Sequence, residues 1–323
     1  MRSVLRYAAE MFVDIQALFE RQLTYPNPDA RDQLNRLVGL DSHKDRLRKI
    51  LALLVYPRSL ARWSEKYHPE ANQLLETVLN RPPLVILAGD VGSGKTALAE
   101  SIGDAVARDT MIEVVLLPLS LAARGQGRVG EMTQLISGAF DHTVKEAAGM
   151  VSEKSGAEGA VILLVDEADA LAQSRATADM HHEDVSGVNA FIRGIDRLSN
   201  RRLPAAVIMC TNRYESLDPA VKRRAAEILT FERPDDERRR DLLGPRLGEL
   251  GFTADEVEAI VKATGPRGDE PGFTYSDLTQ RLIPAIVLDA YPEHAIEAAR
   301  ALAIAEEMVP TAPFAPYDRR KQA

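Results

Sequence analysis

The hydrophobic pattern of this chain changes character twice. Between residues 84 and 234, short and almost unbroken apolar runs alternate with segments of helical periodicity. The runs are LVILAG (84–89), IEVVLLPL (112–119), AVILLVDE (160–167), AAVIMCTN (205–212) and AEILTFERP (226–234). Runs without polar alternation are buried on both faces, and strands separated by helices pair in parallel. TALAESIGDAVARD, EMTQLISGAFDHTVKEA and VSGVNAFIRGIDRL supply the intervening helices. The prediction is an α/β fold, a five-stranded parallel sheet in an αβα sandwich. After Pro234 the strand signal stops, and residues 235–309 read as a small helical domain.

Upstream, residues 1–36 read as a helical extension closed by the breaker YPNPDARDQ, where Pro26 and Pro28 interrupt helical bonding. Leu47, Ile50, Leu51 and Leu54 then recur at helical spacing, with Asp41 or Ser42 as the cap. A further charged helix lies near residues 60–80 and ends at Arg81-Pro82-Pro83. The expected organisation is an extension (1–36), a large domain (37–233), a helical domain (234–309) and a proline-rich, flexible tail (310–323).

Composition narrows the class. No apolar run approaches the roughly 20 residues needed to span a bilayer. Arg6, Glu10 and Asp14 interrupt the N-terminal stretch, which therefore lacks a signal peptide's apolar core and points to the cytoplasm. The single cysteine, Cys210, excludes an internal disulfide and any multi-cysteine metal site, and its apolar setting predicts a buried thiol. A net charge of −8 argues against a nucleic-acid surface, which needs excess Lys and Arg.

The chemistry sits at the ends of the apolar runs. Gly89-Asp90-Val91-Gly92-Ser93-Gly94-Lys95-Thr96 fits GxxxxGK[ST] between a strand and a helix. Its glycines let backbone N–H groups wrap an anion that the next helix's positive end also attracts. Lys95 is placed to reach the β- and γ-phosphates of ATP, and Thr96 to offer its hydroxyl to Mg²⁺. Asp166 closes the third run as a second Mg²⁺ ligand, and Glu167 beside it is placed to activate the attacking water. Asn212 ends the fourth run, at the carboxyl edge where ligands bind open α/β sheets, and suits orientation of that water. Arg223 and Arg224 end a short helix, LDPAVKRR. Either is a candidate finger that stabilises transition-state charge in a neighbouring subunit.

In this order, LVGLDSHKDRLRKIL, the phosphate loop, VDEADAL, CTN and LDPAVKRR resemble the AAA+ ATPases over residues 37–290. The resemblance implies a nucleotide-binding αβα domain followed by a helical lid, a hexameric ring, and remodelling of protein substrates. It also implies nucleotide contacts from Gly39 and Leu40. SGVNAFIRGIDRL is similar to the VNA-containing helix of the pachytene-checkpoint ATPases, of the thyroid-receptor-interacting-protein type, and Arg224-Ala225 matches their finger segment. That narrower resemblance implies ATP-driven opening of HORMA-domain proteins, in bacteria as a brake on CBASS antiphage signalling, with a cyclic-nucleotide synthase bound to the substrate. Bacterial members lack a large N-terminal adaptor, which suits the 36 residues before Leu37. Two other readings stay open: a general AAA+ unfoldase or chaperone, and a nucleotide-gated, DNA-associated AAA+ protein.

The chain departs from the family pattern in two places. Arg128 stands where threading relatives carry a pore aromatic, leaving Val129 and a glycine-rich backbone in Gly127–Glu131 to touch substrate. In Gly272–Leu278, the start of the lid's sensor helix, no arginine occupies the usual place, and Arg281 one turn later is the candidate substitute. His181-His182-Glu183-Asp184 is not read as a metal cluster, because adjacent side chains point apart and rarely ligate one ion; the resemblance instead implies that it belongs to a second pore-facing loop.

Overall fold

A computed structural model describes residue 19 and residues 21–120, 131–152, 156–171 and 182–313. The expected N-terminal helix up to residue 18, most of both pore-facing loops (including Arg128, Val129, Gly130 and His181) and the tail beyond residue 313 lie outside the described residues. Among the described residues no helix is long and apolar enough to cross a membrane.

The strands are β1 (Leu23–Tyr25), β2 (Leu84–Gly89), β3 (Glu113–Ser120), β4 (Val151–Ser152), β5 (Gly156–Ala157), β6 (Gly159–Asp166), β7 (Ala205–Thr211) and β8 (Ala225–Phe231). Six of them form one sheet in the order β1-β3-β6-β7-β2-β8, and β4 and β5 form a separate two-stranded ribbon. The pairs β3–β6, β6–β7 and β2–β7 are parallel. Every residue of β7 and all but the last of β2 and β6 are buried, which is why these runs show no polar alternation.

The sheet has one strand more than the sequence pattern predicts. Leu23–Tyr25 pairs antiparallel with β3, where the expected helix gives way to its breaker at Tyr25. Three residues are too few for a legible strand period, and the edge of β3 decides their conformation by offering open ladder groups. Tyr25 is buried, its hydroxyl donating to the Glu100 carbonyl and its ring lying where a side chain on Gly103 would stand.

The helices are α1 (Pro28–Arg36), α2 (Asp41–Val55), α3 (Arg58–Tyr67), α4 (Asn72–Leu79), α5 (Lys95–Thr110), α6 (Glu131–Gly149), α7 (His182–Arg201) and the single turn α8 (Pro219–Lys222). Val188, Phe191, Ile195 and Leu198 form the buried stripe of α7, and Phe191 meets Phe140 of α6 edge-on, ring centroids 5.5 Å apart. Beyond β8 come α9 (Asp236–Gly248), α10 (Ala254–Ala263), a π-helical turn (Asp277–Leu282), α11 (Ile283–Ala290) and α12 (Ala298–Glu307). Asp235 caps α9 through the Arg238 N–H, and Thr253 and Glu256 close a capping box on α10.

The chain divides into two compact units. One comprises the segment up to Leu34 with Ser42–Ala88 and Thr96–Leu229, and therefore most of the sheet. The other gathers Asn35–Asp41, Gly89–Lys95 and the chain from Thr230 onward. Cys210 is a buried thiol in β7, as its apolar context predicts.

Candidate functional site

The phosphate loop follows β2 and runs into the first turn of α5. Gly89 has φ +154°, and a Cβ there would stand 2.2 Å from the Phe231 carbonyl oxygen. Gly92 has φ +72°, and its Cβ would stand 2.8 Å from that of Ser276. Both positions need glycine for backbone and for space. Lys95 is only 6% exposed. Its ammonium donates to Gly89 O (3.0 Å), Asp90 O (2.7 Å) and Ser93 Oγ (3.3 Å), so its charge is held inside the loop. The Asp90 carboxylate shapes the turn by accepting the Val91 N–H at 2.9 Å. The same unit brings Gly39 and Leu40 to this region. Leu40 Cδ1 would lie 3.0 Å from a Cβ on Gly94, and Gly39, with φ +76°, faces the Tyr275 hydroxyl and the Arg238 stem.

The sheet-bearing unit assembles a second group of polar residues. Thr96 Oγ1 donates to Asp166 Oδ1 at 3.2 Å. Two ligands at right angles around one Mg²⁺ lie about 3 Å apart, so this hard-oxygen pair fits such an ion. Glu167 follows with φ +49°, its N–H donating to Asp166 Oδ1 at 2.9 Å. Left-handed backbone at a non-glycine residue costs of order 1–3 kcal/mol and concentrates at functional sites. Here it turns the exposed Glu167 side chain out of the strand's alternation.

Asn212 is held by a residue that sequence reasoning passed over. Asp169 accepts the Asn212 N–H (2.8 Å), its side-chain amide (3.1 Å) and the Thr211 hydroxyl (2.6 Å). The available signal was the third acid of VDEAD, but nothing local connects it to a strand end about 40 residues later.

The arginine pair is resolved by its partners. Arg224 pairs with Asp196 of α7 through Nε (2.7 Å) and Nη2 (2.9 Å), and donates Nη1 to Ala220 O at 3.0 Å. Arg223 is exposed, and no described residue partners its side chain. The SGVNAFIRGIDRL helix therefore fixes one arginine and leaves the other projecting.

Arg281 donates to Asp277 Oδ1 (2.6 Å), Val309 O (3.1 Å) and Thr311 Oγ1 (3.4 Å), so its charge serves the C-terminal segment. Asp277 is fully buried. Burial alone would raise its carboxyl, but hydrogen bonds from the Thr311 hydroxyl, the Thr274 and Thr311 backbone N–H groups and Arg281 bring it down to about 2. A carboxyl depressed from its ordinary 3.8 stabilises the fold fully above about pH 4, and that contribution disappears as pH falls through about 2. The change corresponds to about 2 kcal/mol. Thermal melts from pH 7 to pH 2.5 should show this loss in the wild type and a shallower one in Thr311→Val. Parallel profiles would show that Asp277 is not the group responsible.

A lysine folded into a glycine loop and an acid pair closing a buried strand define a nucleotide-hydrolysing P-loop protein. The family model described as "ATPase family associated with various cellular activities (AAA)" matches residues 85–233. The chain belongs to this AAA family and is an ATPase. Over 301 residues it is 60% identical to CD-NTase-associated protein 6 of Escherichia coli (strain MS 115-1), covering 93% of this chain and 97% of that protein. Two solved structures are also similar. One is a chain of an E. coli MS115-1 HORMA:CdnC:Trip13 complex, with TM-score 0.87, 59% identity and coverage of 94% of this chain and 99% of that one. The other is a Rhizobiales Trip13, with TM-score 0.72, 57% identity and coverage of 91% and 100%.

Proposed function

We propose that this ATPase opens HORMA-domain proteins and separates them from a bound CD-NTase, acting as a brake on CBASS antiphage signalling in the cytoplasm. The observation that carries this reading is the 0.87 TM-score, at 59% identity, to a chain of the HORMA:CdnC:Trip13 complex. The general unfoldase and DNA-directed readings have no support of comparable weight. The working form is a homo-hexamer, with residues 37–233 as the nucleotide-binding domain and 234–309 as the lid.

The roles are assigned by chemistry. Gly89–Gly94 wrap the phosphates with backbone N–H groups, and Lys95 moves its ammonium from loop carbonyls to the β- and γ-phosphates. Gly39 and Leu40 line the nucleotide. Thr96 and Asp166 are the residues that would hold Mg²⁺, which when bound neutralises developing phosphate charge. Glu167 takes the proton of the attacking water, and Asn212, locked by Asp169, orients that water. Arg223 enters the neighbouring subunit's site, while Arg224 and Asp196 keep the short α8 turn in place. Gly127–Glu131 and the segment leading into α7, expected as a loop through Asp184 but helical from His182, would face the substrate.

A purified HORMA–CD-NTase complex is the direct substrate for a test. Added chain with Mg²⁺ and ATP should separate the two proteins on size-exclusion chromatography, whereas Lys95→Ala should neither bind nucleotide nor separate them. Hydrolysis that leaves the complex intact would overturn the remodelling role and spare the ATPase.

A further inference from the structure

Among the described residues, a polar network apart from the hydrolytic residues surrounds Arg233, the residue that follows Glu232 after β8. Its Nε and Nη2 both donate to Asp90 Oδ2, at 2.8 and 2.6 Å. Nη1 donates to Gly272 O at 2.6 Å, and Nη2 also donates to Thr311 O at 2.8 Å. One planar guanidinium thus ties the second residue of the phosphate loop to two distant stretches of backbone. The pair is largely removed from water, with Arg233 14% and Asp90 17% exposed.

The stretch ending at Thr311 is itself tied down at nearly every residue. Arg267 donates to Glu306 O (2.6 Å) and Met308 O (3.1 Å), and Arg281 to Val309 O (3.1 Å). Pro310 is buried. Thr311 donates its N–H (3.0 Å) and hydroxyl (2.6 Å) to Asp277. Asp277 also accepts the Thr274 N–H at 3.0 Å, and two residues further on the Ser276 N–H donates to Gly92 O at 3.1 Å. An irregular segment with its carbonyls and N–H groups bound this specifically is a strap, and it reaches the phosphate loop through Arg233.

We propose that Arg233 is a positioning residue for the nucleotide: it sets the phosphate loop through Asp90, and the strap Met308–Thr311 sets Arg233. The path continues inward, because the Asp90 carbonyl accepts the Lys95 ammonium at 2.7 Å. Asp90 is therefore held on its side chain by Arg233 and on its backbone by Lys95. Releasing Arg233 lets the loop sample shapes in which its N–H groups no longer converge, which raises the ATP concentration needed for occupancy. Glu167 and Asn212 are not part of the network, so turnover of bound ATP is untouched. The strap makes nucleotide affinity responsive to whatever moves the C-terminal segment.

This inference rests on Gly89–Thr96 being the phosphate cradle, and the experiment separates the two claims. A fluorescent ATP analogue is titrated into the chain and its Arg233→Ala, Arg233→Lys, Thr311→Gly and Arg233→Ala/Thr311→Gly variants, with Lys95→Ala as control. Steady-state KM and kcat are measured on the same samples. Arg233→Ala should weaken binding and raise KM roughly tenfold, the scale of one hydrogen bond to a charged group, with kcat changed less than about twofold. Arg233→Lys should recover only part of the loss, since an ammonium cannot span three acceptors. Thr311→Gly keeps the carbonyl that accepts from Arg233 but loses the hydroxyl bond to Asp277 that fixes the strap. It should weaken binding roughly threefold, and adding it to Arg233→Ala should cost little more, because the strap acts on the loop through Arg233.

A purely structural role would lower Tm and the active fraction while leaving KM unchanged, and that result overturns the proposal. Independent, additive losses from Arg233 and Thr311 overturn the strap's part in it. If Arg233→Ala fails to fold, Thr311→Gly alone decides, and an unchanged KM in that variant counts against the proposal. Undiminished nucleotide binding by Lys95→Ala would instead remove the phosphate-loop reading itself.

Discussion

Glu167→Gln should bind ATP as the wild type does and hydrolyse it about 10²- to 10⁴-fold more slowly, the usual contribution of a positioned general base. The amide has the carboxylate's shape and cannot take a proton from water. It also leaves the left-handed backbone at this position as strained as before, since Glu and Gln have the same backbone demands. The phosphate loop and the Thr96–Asp166 pair keep their contacts. Titration with a fluorescent ATP analogue should therefore give a Kd within about threefold of wild type, that is within about 0.7 kcal/mol. Phosphate release should fall to a background near that of Lys95→Ala. Wild-type turnover would make another group the base. The same variant is a useful trap, because a subunit that holds ATP without hydrolysing it should hold its protein substrate.

Arg223→Ala should abolish hydrolysis to a comparable extent without weakening nucleotide binding. An arginine brought to a transferring phosphoryl group is worth about 10³–10⁵ in kcat. The choice between the two arginines follows from their partners. The Arg224 guanidinium is spent on Asp196 and Ala220 O, with its side chain 30% exposed. Arg223, in contrast, is exposed without a side-chain partner among the described residues. Arg224→Ala should then act indirectly, by loosening α8, and should cost stability only at the low end for a partly exposed pair, about 0–1 kcal/mol. Mixing distinguishes a finger from a structural residue. Glu167→Gln and Arg223→Ala chains should each be inactive alone, but in a mixed assembly of the proposed ring the first would supply Arg223 to the intact Glu167 of the second. Recovery of phosphate release on mixing is the expected outcome. No recovery at any ratio would mean that Arg223 acts within its own chain.

The sheet and the glycine loop are largely legible in the sequence, because both are written in local, redundant signals. A strand buried on both faces must be apolar throughout, as β2, β6 and β7 are. A loop that turns on positive φ must place glycine at Gly89 and Gly92. The helical character after Pro234 is legible because the strand signal stops there, whereas the caps at Asp235 and Thr253 emerge only from the structure. β1 was missed because three residues carry no readable period, and its conformation comes from the edge of β3.

The side-chain partnerships were a different matter. Asp169 holds Asn212, Asp196 holds Arg224, and Asp277 takes the Arg281 that had been a candidate for the lid's phosphate sensor. The Arg233–Asp90 pair joins residues 143 positions apart. Charged side chains satisfy whichever counter-charge the chain path brings within about 3 Å, and nothing in a local spacing encodes that choice. Sequence alone therefore determined the glycine loop suited to phosphate and the acids placed at a strand end, since those needs act on backbone conformation and on strand ends. The tertiary structure decided which arginine is left to project and which is joined to the phosphate loop, because a charge finds its partner only when the fold has brought them together.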